Sequence, residues 1–205
     1  MSVAVGILIS GAGSNMVALV KAMQAGSVGG RPVLVLSNRP DAPGLARAAE
    51  LGVPTAVVDH RDHPDRESFD RAVDAHLKAS GVEVVACAGF MRIMTPVLTG
   101  GWAGRMLNIH PSLLPLFAGL DTHARALEAG VAIHGCTVHE VTQDLDAGPI
   151  LGQAAVAVHE DDDPATLAAR LLVQEHRLYP AVLGAFLADR QAARRQRVAL
   201  FPGNA

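Results

Sequence analysis

Short apolar runs rich in valine and isoleucine recur through the first half of the chain: VAVGILI (residues 3–9), PVLVLS (32–37), PTAVV (54–58) and VEVVACAG (82–89). Each has the length of a strand and is apolar at nearly every position rather than at alternate ones, the pattern of a strand covered on both faces. Between these runs the apolar spacing changes to that of a helix. Asn15 to Ala25 carries Met16, Leu19, Val20 and Met23 on one side. A second helix is predicted from Gly44 to Leu51, stopped by Gly52, and a third from Arg66 to Ala79, stopped by Ser80 and Gly81. Glycine at such stops supplies the left-handed residue with which many helices end. Strand and helix in alternation predict an α/β protein with a doubly wound, mostly parallel sheet.

The second half reads differently. A short strand at Arg105–Ile109 leads into a proline-rich loop and a helix around Thr122–Gly130. Two longer runs follow, Ile133–Val141 and Pro149–Val158, joined by the acidic turn TQDLDAG as an antiparallel pair. Pro164 suits the first position of a long helix reaching Leu187, with the acidic stretch EDDDP (160–164) at its N-terminus, where carboxylates favour the helix dipole. The tail RRQRVALF predicts a last edge strand. The whole is a Rossmann-like α/β fold with an antiparallel portion in its C-terminal half.

Composition narrows the function classes. Half of the residues are apolar, yet no apolar run reaches the ~18 residues needed to span a bilayer. The N-terminal stretch MSVAVGILISGAGSN lacks the basic segment of a signal peptide, so a cytoplasmic protein with no membrane partner is expected. A net charge of −3, one terminal basic cluster (Arg194, Arg195 and Arg197) and few aromatics (five Phe, one Tyr, one Trp) argue against nucleic acid as a partner. Cys87 and Cys136 match no CxxC pattern and read as small core residues.

Four stretches could carry chemistry. SGAGSN (10–15) follows the first strand and opens the first helix, so it is either a tight turn or a cradle for an anion at the helix N-terminus. It is not the full GxGxxG, and the second strand ends in Ser37-Asn38-Arg39 without an acidic residue, which disfavours NAD. CAGFMRIM (87–94) leaves the fourth strand at its carboxyl end. There Arg92 could pair with an anion while Met91, Ile93 and Met94 wall a flat apolar ligand, or these residues simply end a strand. In LNIHPSLLP (107–115), Asn108 and His110 are two apart on a strand and share a face, so both could donate to one oxygen and stabilise an oxyanion. DLDAGP (144–149) offers Asp144 and Asp146, either as turn caps or as a carboxylate that keeps the His110 imidazole charged. The histidines His110, His123, His134 and His139 fit neither HExxH nor a Cys/His finger, and no metal is expected.

Taken together, SGAGSN, SNRPDAPGLARA, DRESFDRAV, AGFMRI, AGRMLNIHPSLLP, HGCTVHEVTQDLDAGPI and VQEHRLYP occur in the order and approximate spacing of the phosphoribosylglycinamide formyltransferase family. The chain resembles that family from about Val3 to Leu200. The resemblance implies a single domain over residues 1–205, with a nucleotide- and phosphate-binding half at 1–106 and a catalytic, folate-binding half at 107–205. It implies transfer of a formyl group from the co-substrate 10-formyltetrahydrofolate to the amine of glycinamide ribonucleotide by a monomer or homodimer, without metal. Asn108, His110 and Asp146 then fall on the catalytic positions, Gly13, Ser14 and Asn15 on the phosphate loop, and Glu175 on a second contact to the ribonucleotide. Met91, Arg92, Ile93, Met94 and Asn108 fall on the folate pocket, Arg66 on another folate contact, and Thr142, Gln143, Asp144, Leu145 and Asp146 on the loop over the pterin. The family's LLPxYPGLHTH reads LLPLFAGLDTH here, so Leu116, Phe117, Ala118 and Asp121 depart from the pattern. Two related activities are alternatives, a methionyl-tRNA formyltransferase, which normally adds a C-terminal domain and a basic surface, and a formyltetrahydrofolate hydrolase, which usually adds an N-terminal regulatory domain. A rival of another class is a non-catalytic nucleotide-binding module, which would leave Asn108, His110 and Asp146 without a purpose.

Overall fold

The computed structural model describes residues 2–201, so Met1 and residues 202–205 of the expected 1–205 domain lie outside the described residues. One sheet of eight strands runs in the order β3-β2-β1-β4-β5-β6-β7-β8. The apolar runs become β1 (Val3–Ile9), β2 (Gly30–Ser37), β3 (Thr55–Val57) and β4 (Val84–Cys87), and with β5 (Met106–His110) they are parallel to one another. β6 (Ile133–Glu140) pairs antiparallel with both β5 and β7 (Ile150–Ala157), and β8 (Val198–Leu200) lies parallel to β7.

The continuous apolar pattern has the cause inferred from it, because successive side chains enter two different cores. Ile7, Val35, Val84 and Leu107 join one cluster with α1 (Ser14–Gln24) and α6 (Pro164–Ala188), whereas Leu8, Leu36, Val85 and Met106 join another with α3 (Arg66–Ala79) and α4 (Pro96–Gly101). Each fully buried Leu or Ile contributes about 1.5–3 kcal/mol relative to exposure, so neither face can be left uncovered. α2 (Pro43–Glu50) and α5 (Thr122–Glu128) complete the layers, and the long α6 opens with a capping box in which Asp163 accepts from the Thr166 amide. No helix among the described residues is long and apolar enough to cross a membrane.

Three local features differ from expectation. α4 was not anticipated, since PVLTGG has no apolar period and two of its residues are glycine. It forms because Pro96 sits in the first turn and Trp102, fully buried just beyond it, anchors the turn by donating from Nε1 to Asp74. Arg194 and Arg195 of the tail lie in a short α7 (Arg190–Arg195) rather than in an edge strand, which is confined to Val198–Leu200, with Arg197 between the two. TQDLDAG is no tight hairpin turn but part of a loop from Val141 to Pro149, closed where the Glu140 amide donates to the Pro149 carbonyl. A side chain at Gly148 would place its Cβ 1.8 Å from the Glu140 carbonyl oxygen, so only glycine lets the loop close there.

The site follows from the strand order. β2 and β4 flank β1, so consecutive crossovers diverge there and leave a crevice at the carboxyl ends of β1 and β4, the usual ligand position in open α/β sheets. The Ser10 hydroxyl ties three of these loop starts together, donating to Asn38 and accepting from the Met91 amide.

Candidate active site

A cleft of about 670 Å³ opens at this switch point, and Asn15, Arg66, Met91, Arg92, Ile93, Asn108, His110, Leu145, Asp146 and Glu175 line it. β5 presents Asn108 and His110 to it from one strand face, as their two-residue spacing requires. Beyond His110 the chain is held by the Thr137 hydroxyl, which donates to the Ser112 carbonyl and accepts from the Leu114 amide. This fixes the start of the loop over the imidazole. That ring has an acceptor at each nitrogen: the Phe117 carbonyl oxygen lies 3.1 Å from Nε2 and the Asp146 Oδ2 lies 3.4 Å from Nδ1. Only the imidazolium form can donate to both. Asp146 reaches this point from the 141–149 loop in a left-handed conformation (φ 53°), and its Oδ2 also accepts from the Gly119 amide at 3.0 Å.

The atypical 116–121 segment thus contacts both His110 and Asp146. Phe117 and Asp121 both adopt positive φ, at 54° and 55°. Arg125 holds the segment from α5, donating to the Ala118 carbonyl and lying over the Phe117 ring. That ring also makes a T-shaped contact with His134, which packs edge-on against His123 with centroids 5.2 Å apart. Burial drives the His134 pKa down to about 4, assisted by its neighbour His123.

The reading of the histidines as a failed metal set missed His139. Antiparallel pairing of β5 with β6 places it directly opposite Asn108. Its Nε2 lies 3.2 Å from the Asn108 amide nitrogen and 3.8 Å from Asp146 Oδ1, and its Nδ1 lies 2.9 Å from the Glu140 carbonyl oxygen. The sequence signal that would have found it is that pairing, which brings the final HE of HGCTVHE alongside LN of LNIH.

At the other end of the cleft, Gly13 adopts φ +70° and opens α1, and a Cβ there would sit 3.0 Å from the Gly44 Cα. The loop therefore needs glycine to pass the start of α2. Asn15 Nδ2 donates to Glu175 Oε2 at 2.6 Å, joining residues 160 apart in sequence, while the buried Asn15 Oδ1 has no protein partner. Burial raises the Glu175 pKa, which its bond from Asn15 partly offsets. Ser14 faces a neighbouring shallow groove with Arg47 and His176 rather than the main cleft.

Other expected folate contacts divide. Arg66, Met91, Arg92, Ile93 and Leu145 line the cleft, with Met91, Ile93 and Leu145 more than half exposed. Arg92 lies over the Phe69 ring. Met94 packs against the core cluster beneath. Thr142, Gln143 and Asp144 are exposed on the outer part of the loop, where the Thr142 hydroxyl donates to the Asp144 carbonyl.

A carboxylate beside an imidazole and an amide donor share one cleft with Asn15 at the start of α1, an arrangement suited to group transfer. The chain belongs to the formyl transferase family, whose profile matches residues 3–183. It is 43% identical over 180 residues to the phosphoribosylglycinamide formyltransferase of Escherichia coli (strain K12), covering 88% of this chain and 85% of that protein. The human trifunctional purine biosynthetic protein adenosine-3 is 44% identical over 179 residues; the match takes in 87% of this chain but only 18% of that longer protein. The crystal structure of glycinamide ribonucleotide transformylase 1 from Symbiobacterium toebii superposes with a TM-score of 0.91 at 44% identity, covering 92% of this chain and 89% of that one.

Proposed function

We propose that this protein transfers the formyl group of 10-formyltetrahydrofolate to the amine of 5'-phosphoribosylglycinamide, a step of purine biosynthesis. The observation that carries the reading is the meeting of Asn108, His110 and Asp146 in the same cleft as Asn15 and Glu175. The names of the relatives support formyl transfer to the glycinamide ribonucleotide, and the folate donor rests on the motif resemblance.

In this reading the glycinamide amine attacks the formyl carbon on N10 of the folate, and the carbonyl electron pair moves onto oxygen. The Asn108 amide and the protonated His110 donate to that oxyanion, with Nε2–H turning from the Phe117 carbonyl to the substrate. Asp146 holds the imidazolium by its ion pair. The tetrahedral carbon then releases N10, which takes up a proton as the attacking nitrogen loses one, and the products are the formamide and tetrahydrofolate. Neither a metal nor a covalent enzyme intermediate enters this scheme. Asn15, Glu175 and the amides of Gly13 and Ser14 hold the ribonucleotide, with the buried Glu175 suited to ribose hydroxyls and the helix terminus to phosphate. Arg66 and Arg92 pair with carboxylates of the folate. Residues 1–106 supply most of the ribonucleotide side and residues 107–205 most of the catalytic side of a single cytoplasmic domain.

The test is an optical assay of 10-formyl folate deformylation with and without the ribonucleotide. Deformylation that requires the ribonucleotide supports the reading. Release without it would indicate a hydrolase, and binding with no release a non-catalytic module.

A further inference from the structure

The scheme above leaves one requirement unmet by its own residues. Asn108 can donate to an oxyanion only if its NH₂ group, and not its carbonyl oxygen, faces the reacting centre. The two ends of a carboxamide have nearly the same shape, so packing alone does not choose between them. A choice has to come from a neighbour whose own donor or acceptor character is fixed.

We infer that His139 is a positioning residue for Asn108: held as the Nδ1–H tautomer by the Glu140 carbonyl, it offers its Nε2 lone pair to one N–H of the amide and leaves the other N–H for the cleft. This inference rests on the proposed function. Each link is visible in the geometry. The Glu140 carbonyl, 2.9 Å from Nδ1, can only accept, so Nδ1 carries the proton and Nε2 of the neutral ring is an acceptor. That acceptor lies 3.2 Å from the Asn108 amide nitrogen. Rotating the amide by half a turn would set two lone pairs against each other in a site where His139 is 2% exposed and water cannot intervene.

The surroundings favour the neutral ring. Desolvation lowers the His139 pKa, and the charge of His110 acts in the same direction, against the raising effects of the Glu140 carbonyl and of Asp146. The same arrangement keeps Asp146 for His110. A protonated His139 would donate from Nε2 to Asp146 Oδ1, now 3.8 Å away, and compete for the carboxylate that supports the catalytic imidazolium. Its neutrality therefore serves both donors of the oxyanion site. Strand pairing makes the device rigid, since His139 is the cross-strand partner of Asn108 in an unbroken β5–β6 ladder.

The direct test is nitrogen NMR of the unliganded protein with labelled histidine at neutral pH. His139 should show a protonated Nδ1 and a bare, hydrogen-bond-accepting Nε2, and a protonated Nε2 would overturn the inference whatever the enzyme's activity. The kinetic test compares His139→Leu with His139→Gln, whose side-chain oxygen can still accept. Loss of an oxyanion donor costs about 10²–10³-fold in kcat, so partial misorientation in the Leu variant should cost about tenfold or more, with KM for both substrates unchanged. The Gln variant should recover most of that loss. Equal losses in both variants, or a loss confined to KM, would overturn the inference. In an Asn108→Asp background the difference between Leu and Gln should vanish, and persistence of the difference would likewise refute it. Absence of formyl transfer in the wild type would refute the proposed function instead, while the NMR result would still decide the tautomer.

Discussion

Replacing Asp146 by Asn isolates charge from shape. The amide oxygen can still accept from Gly119 as Oδ2 does at 3.0 Å, so the loop keeps its anchor while His110 loses its counter-ion. At 3.4 Å, with an effective dielectric constant of about 20, an imidazolium–carboxylate attraction amounts to about 5 kcal/mol before desolvation of the two groups is charged against it. Both side chains are only 8% exposed, so desolvation is substantial. If about half of the attraction survives, the transition state loses about 2.5 kcal/mol, close to a hundredfold in rate. The assay is steady-state formyl transfer together with calorimetric titration of each substrate. The expected result is a kcat about a hundredfold lower with dissociation constants within a fewfold of wild type, because Asp146 acts through His110 and the imidazolium it supports is needed for the oxyanion rather than for holding either substrate. A near-normal kcat, or a defect confined to substrate binding, would refute the role assigned to Asp146.

Three further outcomes are expected. Glu175→Gln should weaken ribonucleotide binding by about tenfold or more, the loss of one charged hydrogen bond, while leaving folate affinity unchanged in the same titration; equal effects on both ligands would place Glu175 outside the ribonucleotide side. Stability should fall on acidification. The folded-state pKa of His134 is depressed to about 4 from an ordinary 6.5, so the unfolded chain binds the proton first, and stability present above pH 6.5 is lost toward pH 4. The slope from this one group approaches 1.4 kcal/mol for each pH unit, with His123 and His139, both also lowered by burial, adding in the same direction. Urea midpoints at pH 7 and pH 5 measure it, and His134→Leu should flatten the slope. Gly148→Ala should cost about 1–3 kcal/mol in thermal or urea unfolding, as overpacking does, and should lower kcat as well, because the displaced carbonyl of Glu140 also holds His139.

What could be read from the chain and what could not divide along the range of the interactions. The buried parallel strands are written in unbroken apolar runs, the Gly13 turn in a glycine between strand and helix, and the helix spans and the shared face of Asn108 and His110 in periods of 3.6 and two residues. All of these signals lie in adjacent positions. α4 escaped because its stability comes from Trp102, buried in the core and bonded to Asp74 of α3, rather than from any period of its own. The 141–149 segment read as a turn because its aspartates and glycine have turn chemistry, and nothing local reveals that the loop must return Asp146 to β5. Only the resemblance to a family linked those positions.

His139 is the instructive omission. Tested for metal spacing along one strand, it had no evident purpose, because its purpose is cross-strand. Pairing register decides which residue of β6 faces Asn108, and the β5–β6 ladder sets Leu107 against Glu140, Asn108 against His139 and His110 against Thr137. The consequence is that a one-residue slip of β6 would leave LNIH intact and remove the group that orients its amide. A catalytic motif that looks local, Asn and His two apart, therefore depends for its polarity on an antiparallel strand that begins more than twenty residues later.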